Sequence, residues 1–382
     1  MKSSVLMLLT NKFRPDPRVY REALALSDGG YQVTVLAWDR ETGSLPVEEF
    51  GSVVVKRITT RKVRGMASLL LNYPSFCLRL LEASKKMDLQ IVHAHDFDTL
   101  LPGLLISKLR RVPLVYDAHE RYSKMIAVDV PPAVCKAVEM VEARLMKRSA
   151  LFITINQAMG DHYRARASVE AIIIANVIEL PDASLVKKHQ PSEIIAIIYA
   201  GTLEPQRYLE ETVGAVKRME HIEYWVAGSG RFQGLIEKAA SETKNIRFLG
   251  FLPHEKLMEE MRRSDVVLLL LDPENENYRL AATNKMAEAM AYGIPLITSK
   301  RTLSAEIIEG TGCGIAIEWS AEDFRKAVDL LRDPEVRNRM GRKGREAAEA
   351  EYNWGIMRRR LLDAYQKLIQ RQGVEHDPEG KR

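Results

Sequence analysis

Residues 277–295, NYRLAATNKMAEAMAYGIP, hold a charged pair in an apolar setting: Lys285 and Glu288 stand three apart among Met286, Ala287, Ala289, Met290 and Ala291. On a helix that spacing puts both on one face. A small-residue helix that packs in a core has no packing use for such a pair. A cation in its first turn suits a phosphate, and a carboxylate one turn on suits a ribose diol. The plainer alternative is a surface i,i+3 pair contributing ~0.2–0.5 kcal/mol. Asn284 is the expected N-cap of this helix.

Two neighbouring stretches add to the same chemistry. IIAIIYAG runs into TLEPQRYLEETV, which puts Gly201 and Thr202 at a strand end and Arg207 at the mouth of a helix. VAGSG puts Gly228 and Gly230 at the next strand end. Glycines that permit close backbone approach, a helix N-terminus and two cations suit a diphosphate. The three glycines also fit simple turns. GSGRFQG resembles a dinucleotide fingerprint, but NIRFLGFLP places no acid at the next strand end, which argues against a nicotinamide site.

A second group lies earlier. HAHDFDTL follows the strand LQIV and DAHERYSK follows PLVY, gathering His93, His95, Asp96, Asp98, Asp117, His119 and Glu120 near two strand ends. Metal binding and acid–base work both use such residues. A zinc HExxH pattern fails, because Ser123 stands where the second histidine belongs. DFD resembles a metal-holding DxD, a match common by chance. His93 alternates with apolar strand positions and reads as a hydrogen-bonded core histidine. His95, Asp96, His119 and Glu120 fall at the strand ends and suit a cleft. Asp117 either orients them or caps a turn.

The elements that position these groups alternate in type. SVLMLLT, QVTVLAW, SVVVKRI, LQIVHAH, PLVYDA and LFITI read as strands, with helices such as PRVYREALALSDG between them. After the polar segment DASLVKKHQPSE a second series begins: IIAIIYAG, IEYWVAGS, NIRFLGF, DVVLLLL, PLITS and CGIAIEW. Helical segments close the chain. This is the pattern of βαβ units and parallel sheets, whose ligands sit beyond the strands' carboxyl ends.

The 382 residues exceed one ordinary core, and 46% hydrophobic with 28% charged residues describes a globular protein. Three separated cysteines support neither a disulfide framework nor a thiolate metal site, and suit a reducing compartment. No apolar stretch reaches the ~18 residues of a membrane span, and no targeting segment is visible. The net charge of +5 is uneven: within 51–87, Lys56, Arg57, Arg61, Lys62, Arg64, Arg79, Lys85 and Lys86 face only Glu82. Residues 56–87 thus join a basic cluster to an apolar stretch, which suits an anionic membrane surface or, equally, a solvated loop before a core helix. Nucleic-acid binding is not expected, since only Tyr73 and Phe76 interleave the cations.

These residues, in this order, resemble the retaining glycosyltransferases of family four (glycosyl transferases group 1), with the GT-B fold. The likeness runs through DPRVYREALAL, IVHAHDFDTLLPG, VYDAHE, IIIANVIEL, YAGTLEPQR, AGSG, NIRFLGFLPHEKL, NKMAEAMAYGIPLIT and YNWGIMRRRLLDAYQKL. It implies an α/β protein of two Rossmann-like, doubly wound domains facing across a cleft, with a C-terminal helix crossing back. The expected parts are 1–183 for the acceptor, 191–350 for the nucleotide-sugar donor, 351–371 for the crossing helix and 372–382 as a disordered tail.

The resemblance further implies metal-independent, retaining transfer of a sugar from a UDP- or GDP-sugar co-substrate, with no other cofactor. The acceptor would be a lipid-linked or cell-surface saccharide, and the setting cytoplasmic, peripheral at the inner face of the membrane. Arg207 matches the family's diphosphate-binding lysine, Lys285 a second phosphate-side lysine and Glu288 the ribose-holding glutamate. Gly201, Thr202, Gly228, Gly230 and Asn284 would complete the donor site. His119, with Glu120 beside it, matches the catalytic position near the transferred sugar. Asp16, Arg18, His95, Asp96 and the hinge residue Asn176 fall on the acceptor or cleft side. Two positions depart from the family: Leu280 replaces the first glutamate of its paired motif and Thr202 replaces an arginine. The alternative is therefore a GT-B nucleotide-sugar-binding protein without transfer, or an epimerase-like enzyme. Backbone amides of Ala281, Ala282 and Thr283 are a candidate substitute for the missing glutamate.

Overall fold

The computed structural model describes residues 3–14, 16–63, 65–128 and 130–375. The chain divides into two compact units: Met1–Ala175 with Met357–Arg382, and Asn176–Ile356.

The first unit is built on a sheet in the order β3-β4-β2-β1-β5-β6-β7-β8 among the described residues. Its strands are β1 Ser4–Leu9, β2 Gln32–Asp39, β3 Val47–Phe50, β4 Val53–Thr59, β5 Ile91–His95, β6 Leu114–Ala118, β7 Leu151–Thr154 and β8 Ala171–Ile173. All pairings are parallel except the β3–β4 hairpin. β1, SVLMLL, is buried at every position, as a parallel strand covered on both faces requires. β3 (VEEF) and β8 (AII) are the two edge strands and escape the sequence reading. β3 carries two acids and is half exposed, so it lacks the apolar run of a central strand.

Its helices are α1 Pro17–Asp28, α2 Gly65–Lys85, α3 Phe97–Arg110, α4 Tyr122–Met125, α5 Pro132–Met146 and α6 Gln157–Ala167. Pro17 opens α1, Asp16 caps it by accepting from the Val19 amide, and Gly29 ends it.

The second unit has the order β11-β10-β9-β12-β13-β14, all parallel: β9 Ile195–Ala200, β10 Ile222–Ala227, β11 Ile246–Gly250, β12 Val266–Leu269, β13 Leu296–Ser299 and β14 Gly314–Ile317. All six are legible as apolar runs. Its helices are α7 Leu209–Val216, α8 Gln233–Glu242, α9 His254–Arg263, α10 Glu276–Arg279, α11 Asn284–Tyr292, α12 Leu303–Thr311, α13 Ala321–Leu331 and α14 Pro334–Ala350. The last helix, α15 Trp354–Glu375, starts in this unit and belongs to the first from Met357 on.

The units divide at 175/176 and 356/357 rather than at the expected 183, 191 and 350. The polar segment after Leu180 is bonded into the second unit and is no free linker. The Lys187 amide donates to the Tyr292 carbonyl (2.8 Å) and the His189 amide to Asn338 Oδ1 (2.9 Å). α15 runs through residues 372–375 of the expected tail, and 376–382 lie outside the described residues.

Each sheet reverses its winding once. β1 lies between β2 and β5 in the first unit, and β9 lies between β10 and β12 in the second. In open α/β sheets the crevice at such a reversal, beyond the carboxyl ends, is where ligands bind. In the first unit the loops there follow Leu9 and His95, and in the second they follow Ala200 and Leu269.

Candidate active site

In the first unit a buried set of charges gathers at the ends of β5 and β6. Asp117, fully buried on β6, accepts from Arg18 Nη2 at 2.8 Å and Nε at 3.1 Å, a forked pairing across the sheet. Arg18 also donates to the Ile174 carbonyl at 2.5 Å, and its Nε lies 3.2 Å from Glu22 Oε1, one helical turn along α1. Asp117 thus orients its neighbours, the first of its two sequence readings.

His119 is held at both ring nitrogens. Nε2 is 3.0 Å from Asp117 Oδ2 and Nδ1 is 3.3 Å from Asp96 Oδ2. Burial works against its charge, yet Asp96 and Asp117 together lift the imidazole to about 9, so it is a cation at neutral pH. Burial also opposes the charge of Asp117, but Arg18 and His119 keep its carboxyl well below the usual range. Burial and the nearby Asp117 push the Glu22 carboxyl up to about 8.

Asp96 stands at φ 62°, ψ 168°, a backbone conformation costing about 1–3 kcal/mol in a non-glycine residue. Its amide donates to the Asp117 carbonyl (2.9 Å) and its Oδ1 accepts from the His119 amide (3.0 Å). Those bonds hold the strained residue in place and tie the two strand ends together. Its neighbour Asp98 accepts from Thr10 Oγ1 at 2.5 Å.

The structure distributes the other sequence candidates unevenly. His95 is buried rather than open to a cleft; its Nδ1 lies 3.2 Å from His119 Nε2 and its ring stacks on His93 at 4.1 Å. Burial lowers the pKa of both His93 and His95, keeping them neutral. His93 is the core histidine expected, bonded to the Tyr365 hydroxyl of α15 at 2.7 Å. Asp16 spends its carboxylate capping α1 and accepting from Asn11 Nδ2 at 2.8 Å, and Arg18 is locked in its ion pairs. Glu120 is exposed beside His119, and Asn176 is partly buried as the first residue of the second unit.

Glu22, His93, His95 and Asp117 bring potential metal-ligand atoms within 4.8 Å of one another. Arg18 already supplies a positive charge there, bridging both carboxylates. Sequence reasoning passed over Glu22 and Tyr365. The i,i+4 spacing of Arg18 and Glu22 in RVYRE was the available signal for the first; Tyr365 had none.

In the second unit the loops after β9 and β12 meet. The Asp272 amide donates to the Gln206 carbonyl at 3.0 Å, and Asn275 Nδ2 to Gln206 Oε1 at 2.9 Å. Between these loops Arg207 rests its guanidinium 4.3 Å over the Tyr278 ring. Its Nε is buried and has no hydrogen-bond partner among the described residues. Tyr278 was not singled out in the sequence.

Gly228 and Gly230 have φ near 150°, and a Cβ there would fall 1.8 Å from the Gly201 carbonyl oxygen and 2.5 Å from that of Leu203. The room they provide is filled by the chain's own backbone, so they build the rim by letting the loops after β9 and β10 close on each other. Thr202 is exposed, and its carbonyl accepts from the Tyr199 hydroxyl at 2.6 Å.

The cap of α11 is Thr283, whose Oγ1 accepts from the Met286 amide at 3.3 Å. Asn284 is the first helical residue rather than the cap, so the helix starts one residue earlier than expected. Threonine wins because its backbone is extended (φ −82°, ψ 154°), as an N-cap requires. Lys285 Nζ lies 2.6 Å from Glu288 Oε2, whose side chain is 3% exposed against 20% for the lysine. The pair is therefore no surface pair: α11 buries the acid and leaves the cation at its positive end. The Ala281 amide already donates to the Tyr278 carbonyl at 3.2 Å, so of the three amides considered for the missing glutamate it is engaged.

Known structures share this architecture over nearly the whole chain. Sucrose-phosphate synthase from Thermosynechococcus elongatus matches with a TM-score of 0.79 and 16% identity, covering 97% of this chain and 100% of that one. Anabaena Alr3699/HepE, solved in complex with UDP, matches with a TM-score of 0.69 and 16% identity over 96% and 100%. The fold is that of the GT-B glycosyltransferases, two parallel-sheet α/β domains.

The sequence points the same way. Residues 15–175 match a family model described as glycosyl transferase 4-like domain, and residues 183–347 one described as glycosyl transferases group 1. The chain belongs to this family. Glycogen synthase of Mycobacterium tuberculosis is 27% identical over 279 residues, 69% of this chain and 65% of that protein's own length. A GDP-mannose-dependent phosphatidylinositol monomannoside mannosyltransferase of Corynebacterium glutamicum is 28% identical over 145 residues, 37% of this chain and 38% of that one.

Proposed function

We propose that the protein transfers a sugar from a UDP- or GDP-sugar to a lipid-linked or cell-surface saccharide, with retention and without a metal. The observation that carries the donor half is Arg207, whose buried Nε lacks a partner among the described residues beside the winding reversal of the second sheet. With Lys285 in the first turn of α11, it offers two cations and a helix N-terminus to a diphosphate. As the glycosidic bond breaks, negative charge grows on the β-phosphate, and these groups stabilise it most at that moment. Glu288 holds the ribose once Lys285 turns from it to phosphate.

In the first unit we assign contact with the transferred sugar to His119, a cation fixed by Asp96 and Asp117, with Glu120 beside it. Arg18 places a permanent positive charge behind them, which fits chemistry without a metal ion. The names of relatives support the reading: GDP-mannose with a phosphatidylinositol mannoside in one, and UDP-glucose in a solved complex. The acceptor proposed places the enzyme in the cytoplasm, at the inner face of the membrane. None of the described helices is long and apolar enough to cross one.

Leu280 favours a second reading, a nucleotide-sugar-binding protein that does not transfer. Thermal-shift screening with UDP, GDP, ADP and their sugars, followed by a transfer and hydrolysis assay, separates the two. Stabilisation by one nucleotide together with turnover is expected. Stabilisation without turnover establishes the second reading, and no response to any nucleotide removes both.

A further inference from the structure

The outer layer of the first unit exposes leucines where a solvated surface would carry polar groups. On α3, Leu101, Leu105 and Leu109 recur every fourth residue and are 45%, 41% and 66% exposed, while Leu100, Leu104 and Ile106 point into the core. α3 packs against α2 on one side and α5 on the other. On α2, Leu70, Leu71 and Leu78 are exposed although Phe76 and Leu80 are buried. On α5, Met140 and Val141 continue the pattern. Single exposed apolar residues need no explanation, but three adjacent helices presenting them together form a patch.

The same face is cationic. Lys85 and Lys86 at the end of α2, and Lys108 and Arg111 at the end of α3, are exposed. On α5 a depression of about 430 Å³ is lined by Lys136, Arg144, Lys147 and Arg166, with Met140 at its side. Its one acid, Glu139, is already paired with Arg121 at 3.2 Å and accepts from Ser123 at 2.8 Å.

We propose that the α2–α3–α5 face docks on an anionic lipid surface, its leucines entering the headgroup layer and the α5 depression receiving a lipid phosphate. The choice of partner follows from the mixture. A second copy of the chain would bring one cationic face against another in a symmetric contact. A single-stranded nucleic acid would want aromatic platforms, and this face offers leucines. Apolar side chains set among lysines and arginines match a surface that is apolar below and anionic above.

This sharpens the segment named from sequence. Arg57, in the basic cluster before α2, is withdrawn: its side chain is 4% exposed and donates to Glu48 at 2.7 Å. Arg64 lies outside the described residues. The face instead extends onto α3 and α5, well beyond residue 87. The inference concerns the acceptor side of the function proposed above and does not depend on the donor site.

Flotation of the full chain with phosphatidylcholine vesicles, with and without phosphatidylglycerol, tests it. Binding to the anionic vesicles at low salt is expected, at least roughly tenfold tighter than to neutral ones and weakening as salt rises. Leu71→Asp with Leu105→Asp should lower it about tenfold or more while leaving the thermal midpoint and its nucleotide response unchanged. Lys136→Glu with Arg144→Glu should remove the preference for anionic vesicles. No binding to anionic vesicles at low salt overturns the proposal, as does binding that neither double variant alters. Self-association in light scattering that Leu105→Asp abolishes would give the face to a second copy instead. Because nucleotide response is read separately, failure here leaves the donor-site proposal standing, and the reverse.

Discussion

At the carboxyl ends of its strands the first unit carries a closed set of charges, and the second carries an open one. Arg18, Asp117, Asp96 and His119 pair with one another, mostly out of reach of water, around a Glu22 carboxyl that is protonated at neutral pH. In the second unit the rim is backbone and glycine, and Arg207 leans on an aromatic ring with a nitrogen unpaired. Buried charges must be matched in advance, because an unmatched one costs several kcal/mol in the folded state. A site that meets a highly charged ligand can leave a cation such as Arg207 for the ligand to complete. One site is therefore held by folding, and the other is to be finished by binding.

That contrast predicts where stability and activity separate. Asp117→Ala leaves buried Arg18 without its forked partner and should cost about 3–5 kcal/mol in chemical denaturation. A loss under 1 kcal/mol would show the charges are not matched as described. Lys285→Ala belongs to the open site and should lower kcat about 10²–10³-fold, at a smaller stability cost of about 1–3 kcal/mol because it removes the partner of buried Glu288. Full turnover in that variant would remove Lys285 from the donor site.

The closed site also predicts a pH dependence. His119 rises from an ordinary 6.5 to about 9, and Glu22 from 4.5 to about 8. Both are raised, so the stability they contribute is whole below their unfolded values and is lost as pH climbs through about 8 and then about 9. The thermal midpoint should fall from neutral pH to about 9, and Glu22→Gln should flatten the earlier part of that fall. A midpoint constant over this range would contradict the arrangement.

Smaller effects refine the open site. Tyr278→Leu should weaken nucleotide binding about two- to fivefold by releasing Arg207, the size of an exposed cation–π contact, while Tyr278→Phe should preserve it. If both variants behave alike, the ring does not position the arginine. Thr283→Ala should cost about 1 kcal/mol of stability and Asn284→Ala much less, reversing the order the sequence suggests.

The legible and illegible parts of the molecule follow the same division. The central strands were plain because parallel strands buried on both faces, such as β1 and β12, read as unbroken apolar runs. The edge strands β3 and β8 lack that run and were missed. Lys285, Glu288 and Arg207 stood out because charge beside glycines and small residues is locally odd. The closed site was only half visible. His119 and Asp117 are two apart in sequence, but Arg18 reaches Asp117 from α1 and Tyr365 reaches His93 from α15, and no local pattern announces such long-range partners. The N-cap was misplaced by one residue because Thr283 and Asn284 are both good caps, and backbone dihedral angles decide between them.

α15 gives the first unit an unusual order of assembly. Its core includes Leu361, Tyr365 and Leu368, contributed by the end of the chain, while the second unit is complete at Ile356. On a ribosome, chains emerge from the N-terminus and domains fold as units. The second unit can therefore close while the first still waits for its last helix. Until then Tyr365 has not reached His93, and the groove α15 will fill stands open to chaperones. A stop codon before residue 357 would spare the later domain and leave the earlier one unfinished.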